Sequence, residues 1–193
     1  MKNFKEILDL PYFDLYNELL FLIEENIIPW NNITEKQICI NSIKKNDSDI
    51  KTYSQSLIYD WHNSYKNGNG IVKFCPVLKE SDFIYICNQF KGTLFEEVFI
   101  LLKEKYNVGR IRIMTSPPKT CLTWHTDDDG YRLHYPLNTD EGCIMVIENE
   151  AKHLQKNKWY ITNTLKPHTA FNGTRNLERI HLVGSIIKDS YIW

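Results

Sequence analysis

The chain has 193 residues and a mass of 22.9 kDa, with 42% hydrophobic and 24% charged residues. Lys and Arg number 23 against 24 Asp and Glu, a formal net charge of −1, which excludes a strongly basic nucleic-acid groove and an acidic disordered tail. A chain of this length builds one domain that hides roughly 70% of its unfolded surface.

The start, Met1-Lys2-Asn3-Phe4-Lys5-Glu6, lacks the apolar run of a secretory leader, and Leu19–Ile23 is too short to span a bilayer. Five cysteines, an odd count with no C-x-x-C pair, speak against a disulfide framework. The expectation is a cytoplasmic protein with reduced thiols and no nucleic-acid or membrane partner. Leu15, Leu19, Leu22 and Ile23 then recur at helical spacing, with Pro29 beyond them as a stop. Gln37-Ile38-Cys39-Ile40-Asn41 reads as a short strand. Asn46-Asp47-Ser48-Asp49 and Asn67-Gly68-Asn69-Gly70 read as turns or loops. Thr93-Leu94-Phe95-Glu96 is a capping box ahead of an apolar stripe of Val98, Phe99, Leu102 and Tyr106, and Gly109 lies just past its end.

After Gly109 the period falls to two. Arg110–Met114 and Tyr131–Tyr135 alternate, Gly142–Ile147 is a buried-strand run, and Lys158–Thr162 and Arg179–Ile186 follow. Short strands separated by turn residues, with no helical pattern between them, predict a β sandwich or barrel and argue against a doubly wound parallel sheet.

Chemistry concentrates in this second half. In extended His125-Thr126-Asp127, residues two apart share a face, so an imidazole and a carboxylate can share one ion. His168 would complete the two-His, one-carboxylate set of non-haem Fe(II) oxygenases, which leaves three coordination positions open. Arg179 opens an apolar strand, where a buried guanidinium needs a carboxylate to meet it. Arg132 and His134 are a second inward-capable pair. Taken singly, each has a plainer explanation: a packed His beside a turn Asp, a His in a turn after Pro167, or an Arg at a strand edge. Asp127-Asp128-Asp129-Gly130 looks like the start of a calcium loop, but the EF-hand's twelfth position, a Glu, falls here on Asn138.

Read together, several blocks resemble one family. They are Trp124-His125-Thr126-Asp127, Tyr131-Arg132-Leu133-His134-Tyr135-Pro136-Leu137, Trp159-Tyr160-Ile161-Thr162-Asn163-Thr164, Pro167-His168-Thr169-Ala170-Phe171-Asn172 and Arg179-Ile180-His181-Leu182-Val183. In order and spacing they resemble the aspartyl/asparaginyl β-hydroxylase family of Fe(II)/2-oxoglutarate oxygenases, in particular its bacterial and phage members, some of them proline hydroxylases. The resemblance runs from Val108 to Ile187.

It implies a mainly β fold with flanking helices around a double-stranded β-helix (jelly-roll, cupin-like) core at 108–193. Residues 1–107, which the resemblance does not reach, would form a helical or mixed segment packed on the barrel, as a buttress in preference to a lid or substrate platform, the whole being one folded domain. It also implies that His125, Asp127 and His168 hold iron and that Arg179 pairs with the distal carboxylate of 2-oxoglutarate. Arg132 and His134 would contact the cosubstrate near the metal. Some animal members replace the carboxylate ligand with water; this chain, with Asp127, resembles the full-triad branch. Arg112 stands about where some members place a hydroxyl that helps hold the cosubstrate.

The implied reaction hydroxylates an amino acid, either free, such as proline, or an Asp, Asn or Pro residue in a protein. It consumes O2 and releases succinate and CO2. Two other readings remain: a cupin-like protein that binds or isomerises a small carboxylic acid without oxygen, with Arg179 as clamp, and a β-sandwich binding module with structural histidines. Trp124 and Asn172 are candidates for pocket walls or for packing, and His181 for a hydrogen-bonded core residue. His62 and His153 read as surface residues. Substrate identity and oligomeric state stay open at this point.

Overall fold

A computed structural model describes residues 2–30, 37–54, 59–66, 72–76, 78–127 and 130–187, with backbone alone for 59–66 and 72–76. The turn expected at Asn67–Gly70, the side chain of His62, and Asp128 and Asp129 lie outside the described residues. In chain order the elements are β1 (Phe4–Ile7), α1 (Leu15–Glu24), β2 (Gln37–Cys39), β3 (Asn41–Ser42), β4 (Tyr59–Lys66), β5 (Val72–Pro76), β6 (Tyr85–Ile86) and α2 (Leu94–Tyr106). There follow β7 (Val108–Ser116), β8 (Thr120–Cys121), β9 (Arg132–Asn138), β10 (Cys143–Ile147), β11 (Glu150–Lys152), β12 (Trp159–Thr162), β13 (His168–Asn172) and β14 (Arg179–Ile186).

The larger sheet has the order β1-β12-β9-β14-β7-β2 and the smaller β11-β10-β13-β8, with antiparallel pairing throughout. From β7 onward the chain crosses between them: β7 large, β8 small, β9 large, β10 and β11 small, β12 large, β13 small, β14 large. Two facing sheets wound in this way are a jelly roll, the double-stranded β-helix expected from the sequence.

The alternation in the large sheet has an unusual meaning. Its apolar positions, among them Ile111, Ile113, Leu133, Tyr135, Leu137, Trp159, Ile161, Ile180 and Leu182, face outward into one apolar cluster shared with Leu15, Leu19 and Leu22 of α1 and Phe95, Val98 and Leu102 of α2. The polar positions, Arg112, Arg132, His134, Arg179 and His181, face inward between the sheets and line one cavity. So the helices cover the sheet's apolar face, and the barrel interior is left for charge. A second, small apolar cluster of Phe4, Met145, Ile147, Leu154, Tyr160 and Ala170 closes part of that interior.

The N-terminal segment contributes strands as well as helices, because β1 extends the large sheet beyond β12 and β2 extends it beyond β7. α1 ends before Pro29. Asn26 adopts a left-handed conformation (φ 56), and the Asn26 and Ile27 N–H groups donate to the Ile23 and Leu22 carbonyls, a Schellman cap. α2 starts as expected at Thr93, whose hydroxyl accepts from Phe95 N at 3.2 Å. Glu96, however, accepts from Gly92 N at 2.7 Å. The helix ends on left-handed Asn107 (φ 45), not on Gly109.

Gly109 is a glycine for another reason: a Cβ there would collide with the Glu80 carbonyl. That close approach seats Glu80 against β7, where its carboxylate meets Arg110 at 2.8 Å in a fully buried pair. Burial alone would push the Glu80 carboxyl up, but the Arg110, Arg132 and Arg112 guanidiniums together hold it below its usual range.

Candidate active site

His125 is placed by backbone. Its N–H donates to His168 O at 3.1 Å and the His168 N–H returns to His125 O at 2.9 Å, an isolated antiparallel bridge beyond β8. Two residues on, Asp127 N donates to Thr164 O at 2.9 Å, while Thr164 Oγ1 donates to Gly130 O at 2.8 Å. Gly130 has φ 110, a conformation that side chains resist, and it lets the chain turn from Asp127 into β9. Two sequence-distant stretches, 125–130 and 164–168, are thereby pinned to each other by three main-chain bonds and one hydroxyl.

The result gathers His125, Asp127 and His168, whose potential ligand atoms all lie within 4.8 Å of one another. His125 Nδ1 lies 2.7 Å from Thr123 O, and His168 Nδ1 lies 3.0 Å from Lys166 O. A carbonyl can only accept, so each Nδ1 carries a proton and Nε2 is the nitrogen left to meet a metal. This is the orientation that metal-binding histidines need. Asp127 Oδ2 is 3.1 Å from Arg132 Nε and 4.0 Å from His168 Nε2. Two imidazole nitrogens and one carboxylate oxygen fit a ferrous ion by donor chemistry.

Behind this triad the cavity continues between the sheets. Register sets Arg112, Val183, His134 and Tyr160 side by side across β7, β14, β9 and β12. The pairing of β14 with β9 shifts between Ile180 and His181, opposite Pro136, a residue with no N–H to give the ladder. The bulge lies beside Arg179 and His181, both buried. Arg179 donates from Nη2 to His181 Nδ1 at 3.0 Å. No carboxylate pairs with Arg179 among the described residues, and burial pushes its guanidinium pKa down to about 10. Arg112 is similar: burial, then the charge of Arg110, brings it to about 10, and its Nη1 donates to Ser54 O at 3.1 Å. Both His134 ring nitrogens are buried without a hydrogen-bond partner among the described residues. The apolar walls include Met114, Leu122, Met145, Ala170 and Val183.

All six candidate residues, His125, Asp127, His168, Arg132, His134 and Arg179, thus line one cavity, joined by Arg112, His181 and Thr164. Thr164 ends one of the blocks that carry the resemblance, but nothing in the sequence marks it as a cavity residue. Two candidates fall away. Trp124 is 53% exposed, and Asn172 is structural, since its Nδ2 donates to Ser116 O and Leu177 O and its Oδ1 accepts from Thr174. His153 is half-buried with Nδ1 3.0 Å from Cys143 O, not a solvated surface residue.

Burial, then Arg179, holds His134 and His181 well below the usual histidine range, and burial lowers His168. Below about pH 6.5 the unfolded chain takes up protons that the folded interior refuses. Stability is therefore full above about pH 6.5 and is lost as pH falls, each such histidine adding at most about 1.4 kcal/mol per pH unit. Urea midpoints of the chelator-treated protein, measured from about pH 7.5 down to about 5, should fall steadily. A flat profile would contradict neutral buried rings.

Comparison with known proteins gives a match of residues 40–188 to the family described as aspartyl/asparaginyl beta-hydroxylase. No curated protein matches the chain. Among solved structures it is similar to a viral collagen prolyl hydroxylase from Paramecium bursaria Chlorella virus-1, in complex with 2OG, at 11% identity over 98% of this chain and 97% of that one, TM-score 0.49. It is also similar to an oxidoreductase of the 2OG-Fe(II) oxygenase family from Burkholderia pseudomallei, at 14% identity over 49% and 56% of the two chains, TM-score 0.39. A third is a cupin domain from Bordetella pertussis Tohama I, at 16% identity over 40% and 79%, TM-score 0.34. These overlaps are loose, and the assignment to a family rests on the match over 40–188.

Proposed function

We propose, because the chain belongs to the aspartyl/asparaginyl β-hydroxylase family, that it is an Fe(II)- and 2-oxoglutarate-dependent dioxygenase that hydroxylates an amino acid, free or within a protein. The observation that carries the reading is the convergence of His125, Asp127 and His168 at a cavity that also holds Arg179, a buried guanidinium that no described carboxylate pairs. In this reading the three residues hold the metal, and bound ferrous ion with 2-oxoglutarate supplies the oxidising chemistry that yields succinate, CO2 and a hydroxylated product.

The protein's own contribution is placement and exclusion of water. Arg179 meets the distal carboxylate of the cosubstrate, with the desolvated guanidinium gaining the counter-ion it lacks. His134 is within electrostatic range of both Arg179 and His168, and Arg132 stands beside Asp127, so the keto-acid end would rest against these two. Arg132 also holds Asp127 in place through its Nε. Arg112 is a further cation on the same cavity, and a substrate bearing a carboxylate, such as an amino acid, suits it. Met114, Leu122, Met145, Ala170 and Val183 give the cavity apolar walls that would limit water around the bound cosubstrate.

The test is succinate formation by iron-loaded protein against free amino acids and cell lysate, with 2-oxoglutarate present or withheld and products screened for a gain of one oxygen. The expected result is succinate that depends on Fe(II), O2 and 2-oxoglutarate together. Iron-loaded protein that neither binds nor turns over 2-oxoglutarate would end the proposal, and turnover of a small acid without O2 consumption would establish the cupin-like alternative instead.

A further inference from the structure

We infer that His181 is a positioning residue that fixes the guanidinium of Arg179, and through it sets which length of 2-oxo diacid the cavity accepts. The inference rests on the proposed cosubstrate. His181 is 1% exposed and lies two residues after Arg179 on β14, with Nδ1 3.0 Å from Arg179 Nη2. A guanidinium has no acceptor, so the hydrogen bond can run only from arginine to imidazole. The ring is consequently neutral, with its proton on Nε2.

His181 itself is held. It packs edge-on against His134, with ring centroids 5.8 Å apart at 80°, and it sits at the irregularity where β14 shifts register on β9. Arginine alone is long and flexible, and with no acid partner among the described residues nothing else of opposite charge fixes its plane. The imidazole lone pair takes one N–H and leaves the others for an incoming carboxylate. The distance from that carboxylate to the metal ligands is then a property of the protein and not of the arginine's rotamer. A keto-acid one methylene too long or too short misses either the metal or the guanidinium.

Equilibrium binding to Mn(II)-loaded, oxygen-free protein tests this with 2-oxoglutarate, the shorter oxaloacetate and the longer 2-oxoadipate. His181→Leu should weaken 2-oxoglutarate binding by about 10-fold or more and shrink its preference over the other two acids. His181→Asn, whose side-chain carbonyl can stand where Nδ1 stood, should recover most of both. His181→Gln, which puts its polar group farther out, should not, and the Asn/Gln contrast decides the matter if His181→Leu fails to fold. Unchanged affinity and selectivity in His181→Leu, or Asn and Gln variants that bind alike, would overturn the inference and leave the functional proposal intact. Failure of the wild-type protein to bind 2-oxoglutarate would remove both.

Discussion

Replacing His168 with alanine is expected to lower ferrous-ion affinity by more than about 100-fold and to reduce 2-oxoglutarate-dependent turnover to background. Loss of a residue that merely orients a ligand typically costs 10–100-fold in metal affinity or activity, so loss of a ligand should exceed that. His168 is the buried member of the triad, and its Nδ1–H is already committed to Lys166 O at 3.0 Å. Nothing else described can take its place, because the set gathers only His125, Asp127 and His168. Without it, the Asp127 carboxylate has a stronger remaining partner in Arg132, 3.1 Å away, than in a two-ligand metal site. The fold should survive, since the bridge that joins the two histidines is made by main-chain atoms. Anaerobic titration with Fe(II), alongside a thermal melt, checks both halves. Metal binding at wild-type affinity in a folded His168→Ala protein would dismiss the triad.

Much of this site was legible because its residues lie on strands whose period of two survives in the sequence. Arg132 and His134, or Arg179 and His181, alternate with apolar neighbours, so a shared face could be read directly. Which face of the sheet meets water could not. Alternation ordinarily means polar residues outside, whereas here α1 and α2 cover the apolar face and charge fills the barrel.

The same ambiguity hid the difference between Arg110 and Arg112. They share parity on β7, yet Arg110 is consumed by Glu80, thirty residues back in the chain, and only Arg112 reaches the cavity. β1 was illegible for a related reason. Its four residues send Phe4 into the barrel and Ile7 into the outer core, so no single-face pattern exists to be found. Gly109 read as a helix stop because a glycine beyond an apolar stripe usually is one. Its actual neighbour, the Glu80 carbonyl, is a contact between segments that sequence order does not reveal.

Replacing Arg179 with methionine should move binding and stability in opposite directions. Removing one partner of a desolvated, hydrogen-bonded charge pair costs about 2–5 kcal/mol, or some 30- to several-thousand-fold in the dissociation constant for 2-oxoglutarate. Metal affinity should hardly change, since Arg179 is not among the clustered ligand groups. Without cosubstrate, the wild-type guanidinium is buried against a neutral imidazole, with no carboxylate partner among the described residues. Its desolvation is therefore a cost that the empty protein carries, and an apolar chain of similar length relieves it. The substitution also orphans the buried His181 Nδ1, which offsets part of that relief, so urea unfolding of the metal-loaded, cosubstrate-free variant should show a net gain of only about 1 kcal/mol over wild type. Adding 2-oxoglutarate should reverse the order, because ligand that binds only the folded wild type stabilises it in proportion to the logarithm of concentration over its dissociation constant. A variant that is less stable than wild type in the absence of 2-oxoglutarate would mean that Arg179 is a structural cation with a partner of its own, and the cavity would lose its reason to bind a dianion.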